Sequence, residues 1–206
     1  MAGRAASSHF ISFEGLDGCG KTTQARLLAD RLRADGVEVV LTREPGGTTL
    51  GEEIRGLLLH GGHVAPWAEA ALYAASRAQH VDEVIRPALE RGAVVVCDRY
   101  VDSSVAYQGI ARGLGLEQVL ELNLAVVGGL MPDLTFLLEI GVEDAAARMG
   151  DERDRIERED DVFRARVVEA YRSLAALDPE RYVVVDGTRA MEEIAEEIDG
   201  AVRSRS

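Results

Sequence analysis

Short apolar runs of strand length alternate along this chain with stretches whose apolar residues recur every three or four positions. Residues 10–13 form the first such run, and residues 23–32 carry the helical period, with Leu28 and Leu32 on one face. Asp35 and Gly36 end that helix, and the β-branched run 37–42 reads as a second strand. A loop over 43–48 follows, and Thr48 caps a helix reaching about Leu59, which Gly61 and Gly62 break. Pro66 opens a long helix to about Glu90, and Pro87 inside its end is expected to kink or shorten it. Residues 93–97 read as a buried strand, 102–108 as the start of a helix, and 116–127 as another helix beyond glycines 109, 113 and 115. The run 134–140 is the fourth strand, 142–149 a short helix, 150–157 a charged loop and 160–177 a helix. A fifth strand over 182–186 and a helix over 191–202 complete the pattern. Strands alternating with helices predict one α/β domain over 1–206, a five-stranded parallel sheet covered by helices on both faces. In such a sheet ligands gather at the carboxyl ends of the strands.

Composition narrows what those ligands are. The chain has 206 residues and a formal net charge of −13, which argues against a broad nucleic-acid surface. A local cluster of arginines can still hold an anion. Two cysteines, Cys19 and Cys97, make no disulfide framework. Residues 1–8 carry no apolar leader core and no apolar run is long enough to span a bilayer, so the expectation is a soluble, cytoplasmic protein with no membrane partner. The histidines at 9, 60, 63 and 80 suggest no metal set or triad, and Trp67 is read as packing.

The first strand runs into Gly15–Leu16–Asp17–Gly18–Cys19–Gly20–Lys21–Thr22–Thr23, which contains G-x-x-x-x-G-K-T. Strand, glycine-rich loop and helix in this order form the phosphate-binding P-loop of nucleotide triphosphatases. Glycines let backbone N–H groups converge on a phosphate at a helix N-terminus. Lys21 supplies a mobile charge for the outer phosphates, and Thr22 a hydroxyl for Mg²⁺. Lys21 is also the chain's sole lysine, every other basic side chain of this type being arginine. No N-K-x-D guanine-reading motif is therefore present, which disfavours a GTPase.

Four further stretches stand at strand ends or helix starts. Arg43 and Arg99 sit just past strands two and three, where a guanidinium fork can grip a monophosphate. Tyr73 and Arg77 share one helix face and offer a stacking ring and a donor to a base carbonyl. Gln108, beside Tyr107, can pair with a pyrimidine edge. Asp98 closes strand three, where a carboxylate can organise Mg²⁺ or instead pair with a neighbouring arginine. Arg148, Arg153 and Arg155 crowd the charged loop, as phosphate-closing groups or as a solvated helix end.

In order and spacing this set resembles the thymidylate kinase family, from strand one to strand five. The resemblance implies a P-loop nucleoside monophosphate kinase with P-loop 15–22 and a lid at about 148–158. It implies ATP and dTMP as partners, Mg²⁺ as cofactor, and a homodimer to which residues 116–131 contribute. By the same resemblance Arg43 and Arg99 bind the dTMP phosphate, and Tyr73, Arg77 and Gln108 the thymine. Asp17 and, more weakly, Ser104 approach the deoxyribose, and the turn at Asp186–Gly187–Thr188 holds adenine. Gly18 leaves the P-loop neutral where other members carry a basic residue, which places the catalytic arginines, Arg153 and Arg155, on the lid. Pro45 after Glu44 suits a cis peptide. A related deoxyuridine monophosphate as acceptor, and a non-catalytic nucleotide-binding module, stay open as alternatives.

Overall fold

The computed structural model describes residues 9–150 and 153–205. Residues 1–8, read above as carrying no leader, and 151–152 of the predicted lid lie outside these. Five strands, β1 (Phe10–Glu14), β2 (Val39–Arg43), β3 (Val94–Asp98), β4 (Leu134–Glu139) and β5 (Tyr182–Asp186), form one parallel sheet in the order β2-β3-β1-β4-β5. The chain leaves β1 for the far edge, returns to β3, and then crosses to β4 on the other side. The strand order therefore switches at β1, and the crevice for a ligand opens at its carboxyl end. Register brings the site there: Phe13 and Arg43 each lie opposite Asp98, and Glu14 opposite Leu137.

Helices α1 (Lys21–Ala34), α2 (Thr49–His60), α3 (Pro66–His80), α4 (Arg86–Glu90), α5 (Val101–Ser104), α6 (Leu116–Val127), α7 (Val142–Arg148), α8 (Asp161–Leu177) and α9 (Met191–Arg205) surround the sheet. The central strands are buried on both faces, which is why they read as continuous apolar runs. Along β3, Val94 and Val96 enter one core cluster and Val95 and Cys97 another. Phe13 packs on Phe136 across β1 and β4, ring centroids 5.2 Å apart.

Four expectations change. Strand two starts at Val39, because Val37 donates to Leu32 O at 3.0 Å and so finishes the exit turn of α1. The long helix is not uniform. A π-helical turn over Val81–Ile85 separates α3 from α4, and Arg86 N bonds Val81 O, five residues back. Pro87 has no N–H and its ring crowds the preceding turn, so a widened turn just before it relieves both. A second π-helical turn, Val105–Ala111, replaces the predicted continuation of α5 and carries Tyr107 and Gln108. Trp67 is half exposed in the first turn of α3, ahead of the part of the helix that enters the core.

Candidate active site

β1 ends in Glu14, and the P-loop begins at once with Gly15 at φ 137. A Cβ on Gly15 would lie 2.5 Å from Leu138 O, and one on Gly18, at φ 84, 2.5 Å from Ala145 O on α7. Only glycine fits both positions, and Gly18 is neutral because α7 packs against it. Lys21 is buried; its ammonium donates to Leu16 O at 2.7 Å and stands 3.9 Å from Asp17. The Thr22 hydroxyl donates to Asp98 Oδ2 at 2.5 Å, so this carboxylate faces the P-loop rather than an arginine. Two hard oxygen ligands thus stand beside the phosphate loop, the donor set that Mg²⁺ takes. Gly187 packs by the P-loop, with its ideal Cβ 3.5 Å from Cys19 O, and its carbonyl accepts from Arg148 at 2.8 Å.

Arg99 is the residue on which the cleft converges. It is the only non-glycine with positive φ among the described residues, at φ 71, and its N–H is held by Phe13 O at 2.9 Å. That strained conformation turns its guanidinium back over the strand ends. The guanidinium reaches Asp17 at 2.6 Å, Ser103 at 3.1 Å, Tyr171 at 3.3 Å and Tyr107 at 3.4 Å. Burial works against its charge, but Asp17, with Tyr107, Tyr171 and Asp98 adding to it, outweighs this and holds its pKa well above the usual guanidinium value. For Asp17, burial is likewise outweighed, here by Arg99 and Lys21, which keep its carboxyl well below the usual carboxylate range.

Behind Arg99 lies Glu14, fully buried, accepting from Tyr100 N at 2.8 Å, Ser103 Oγ at 2.6 Å and Tyr171 Oη at 2.8 Å. Burial, with Asp102 adding repulsion, pushes its pKa up to about 7. Sequence reasoning missed this group, Ser103 and Tyr171; a carboxylate ending a largely apolar strand was the available signal.

Tyr73 and Arg77 line a cleft together with Tyr107, Gln108 and Ser104. Arg77 is fully buried and largely committed to the protein. It donates to Glu44 at 2.6 Å, Ser104 at 2.9 Å, Tyr100 O at 2.9 Å and Asn123 Oδ1. Glu44, next to the cis Glu44–Pro45 peptide, is in turn paired with His80 at 2.8 Å, and His80 with Thr42 at 2.6 Å. His80 is thus a structural histidine. Glu44, His80 and Cys97 bring three possible ligand atoms within 4.8 Å, but Arg77, Thr42 and Arg99 O already occupy them and burial pushes the Cys97 thiol up.

A second cleft runs along the P-loop past Lys21, Thr22, Arg43 and Asp98. The two clefts share Asp17, Glu44, Arg55 and Arg99 as walls, so they join at that point. Arg55, which sequence reasoning also missed, donates to Pro45 O at 3.0 Å. Burial, and then Arg43, lower its pKa. Arg43 itself is half exposed and forms a two-pronged pair with Glu52. Three guanidiniums and one ammonium thus line the P-loop cleft beside four carboxylates, and two of the guanidiniums, Arg55 and Arg99, stand at the junction, where such forks can hold a phosphate.

The predicted lid arginines diverge. Arg148 lies at the Gly187 turn, and no hydrogen bond or ion pair holds Arg153 among the described residues. Arg155 turns away from the P-loop cleft onto Glu69, at 2.7 Å, and Leu58 O, at 2.7 Å.

A P-loop at the switch point of a parallel sheet, opening into a cleft lined by aromatic and amide groups, defines a P-loop phosphotransferase with a small acceptor. Comparison with known proteins narrows the class. The sequence pattern described as "Thymidylate kinase" matches residues 13–198. The chain is 53% identical over 201 residues to a thymidylate kinase of Clavibacter michiganensis subsp. michiganensis, covering 96% of this chain and 93% of that one. It is 57% identical over 193 residues to one of Leifsonia xyli subsp. xyli, covering 92% and 91%. The crystal structure of thymidylate kinase from Ehrlichia chaffeensis superposes with a TM-score of 0.81 at 33% identity, covering 96% of this chain and 99% of that one. The chain belongs to the thymidylate kinase family.

Proposed function

We propose that this protein transfers the γ-phosphoryl group of ATP to dTMP, giving dTDP and ADP for dTTP synthesis. The observation that carries the reading is the junction of the two clefts at Asp17, Arg55 and Arg99. A base in the Tyr73–Gln108 pocket leaves its 5′-phosphate at that junction, facing the P-loop. An oxygen of the dTMP phosphate attacks the γ-phosphorus, the bond to the β-bridging oxygen breaks, and ADP leaves with the electron pair. The attacking phosphate is already anionic at neutral pH, so no strong general base is needed.

Catalysis is then alignment plus charge neutralisation. Lys21 and the P-loop amides hold the donor phosphates. Arg99 and Arg55 hold the acceptor phosphate, with Arg43 at the cleft's edge. Asp17 aims Arg99 and stands where the sugar passes. Tyr73 stacks on the base, and Arg77, with Glu44 fixing its plane, has one N–H left for a base carbonyl. Thr22 and Asp98 would hold Mg²⁺, which when bound screens the β- and γ-phosphate charges. Of the lid arginines, Arg153 is the one left to serve the donor phosphates, since Arg148 and Arg155 have protein partners. The half-buried leucines and Val126 of α6 form the face of a homodimer.

The test is an ADP-release assay with ATP and Mg²⁺, adding dTMP, dUMP, dCMP, GMP and thymidine in turn. Turnover with dTMP far above the rest supports the reaction and the pocket. Preference for another monophosphate keeps the kinase and refutes the pocket, and no acceptor-dependent turnover refutes both.

A further inference from the structure

One buried carboxylate in the acceptor region has no part in the reaction above. Glu69 lies on α3, four residues before Tyr73 and eight before Arg77, on the same helix face. It is 1% exposed and accepts from three side chains on two other segments. Gln108 Nε2 reaches it at 2.9 Å, Arg112 at 3.2 and 3.3 Å, and Arg155 at 2.7 Å. Gln108 and Arg112 come from the π-helical turn and its exit, while Arg155 comes from the lid.

Arg155 is fastened twice more. Its Nε donates to Leu58 O at 2.7 Å, and its main-chain N–H to Leu59 O at 3.0 Å, both in the last turn of α2. A second tie lies four residues on, where Glu159 pairs with Arg112 at 2.7 Å. Between these ties the lid residues divide by direction. Asp154 and Ile156 line the acceptor pocket, and Glu157 lines the P-loop cleft. Arg155 points away from both, into Glu69, on the side where Arg158, Glu159 and Arg112 also lie.

We infer that Glu69 and Arg155 form a latch that seats the lid as a wall of the acceptor pocket and ties that wall to the base-reading amide of Gln108. Arg155 is then a positioning residue for acceptor binding, not a ligand of the donor phosphates. The carboxylate that anchors the lid also orients Gln108, so a base that fits Gln108 and a lid that is seated favour each other. The coupling acts as a specificity device, because a base that displaces Gln108 disturbs the anchor of the lid.

This inference rests on the proposed dTMP kinase reading, and the experiment separates the two. Arg155→Ala, Arg155→Lys and Glu69→Gln are compared with wild type by varying dTMP and ATP separately, with a melting curve for each. The expected result for Arg155→Ala and Glu69→Gln is a KM for dTMP raised about tenfold, with the KM for ATP moved less than about threefold. The dTMP-to-dUMP preference narrows in both, and Arg155→Lys recovers part of the loss. A raised ATP KM with an unchanged dTMP KM would place Arg155 on the donor phosphates and overturn the latch. Unchanged constants in folded variants overturn it as well. Should wild type fail to use dTMP, the function reading falls by itself. Amide hydrogen exchange over residues 153–160 then decides the latch: faster exchange in Arg155→Ala supports it, and equal exchange overturns it.

Discussion

Lys21 and Arg99 illustrate how much a single side chain's surroundings decide. Lys21 is buried against Leu16 O, with its charge aimed along the P-loop. Arg99 is bent into the cleft by its own backbone and held there by Asp17. Replacing either with Ala should cut turnover about a hundredfold or more, since preorganised charge on a transferring phosphoryl group carries that magnitude. Steady-state kinetics on variants with unchanged circular dichroism check this, and near-wild-type rates would remove the roles assigned. Glu14 gives a prediction in pH. Its carboxyl is raised from an ordinary value of 4.5 to about 7 in the folded protein. Between those values the folded state holds the proton more tightly than the unfolded one. Its contribution is therefore full at low pH and is lost as pH rises through about 7. Urea midpoints of wild type should fall across that window relative to Glu14→Gln, whose side chain does not titrate. Parallel curves for the two proteins would refute the shift.

At the scale of the element, α3 is a helix with three polar residues, Glu69, Tyr73 and Arg77, set four apart on its pocket face. The helical period makes that alignment legible, but not what each residue binds. Arg77 reads in sequence as a donor to a base, and it is equally a core strut between Glu44, Ser104, Asn123 and Tyr100. Its loss leaves Glu44 buried with a partner missing. Arg77→Ala should therefore destabilise the fold by about 3–5 kcal/mol as well as abolish activity. Chemical denaturation measures this, and a stable but inactive variant would confine Arg77 to the ligand. The two π-helical turns were not legible. Pro87 marked a disturbance, yet nothing local marks Val105–Ala111, where tertiary packing sets the pitch.

The whole molecule brings strand ends, the P-loop and the lid to one edge of the sheet, with no helix among the described residues long and apolar enough to cross a membrane. Its stability should respond to the ligands that bridge its parts. With ATP and dTMP at about a hundred times their dissociation constants, each should add about 2.7 kcal/mol, seen as a rise in melting temperature. No shift with dTMP would contradict the acceptor pocket. Light scattering after size exclusion should give twice the chain mass. Replacing Leu122 on α6 with Asp should halve it, whereas a monomeric wild type would remove the proposed dimer face.

The linear order of residues by itself determined the alternation of strands and helices, the P-loop and the polar positions at strand ends, because these follow from local periodicity and from glycine and proline chemistry. It located Lys21, Thr22, Asp98, Arg99 and Tyr73 at the loop, strand end and helix where they stand. Tertiary structure alone decided which of them meet. Glu14 and Tyr171 are 157 residues apart in sequence yet share a hydrogen bond, and Arg155 reaches Glu69 from 86 residues away. A guanidinium on a charged loop has no local preference for a phosphate over a carboxylate. The partner it takes depends on which anion packing has buried within reach, and that is a property of the assembled sheet and helices.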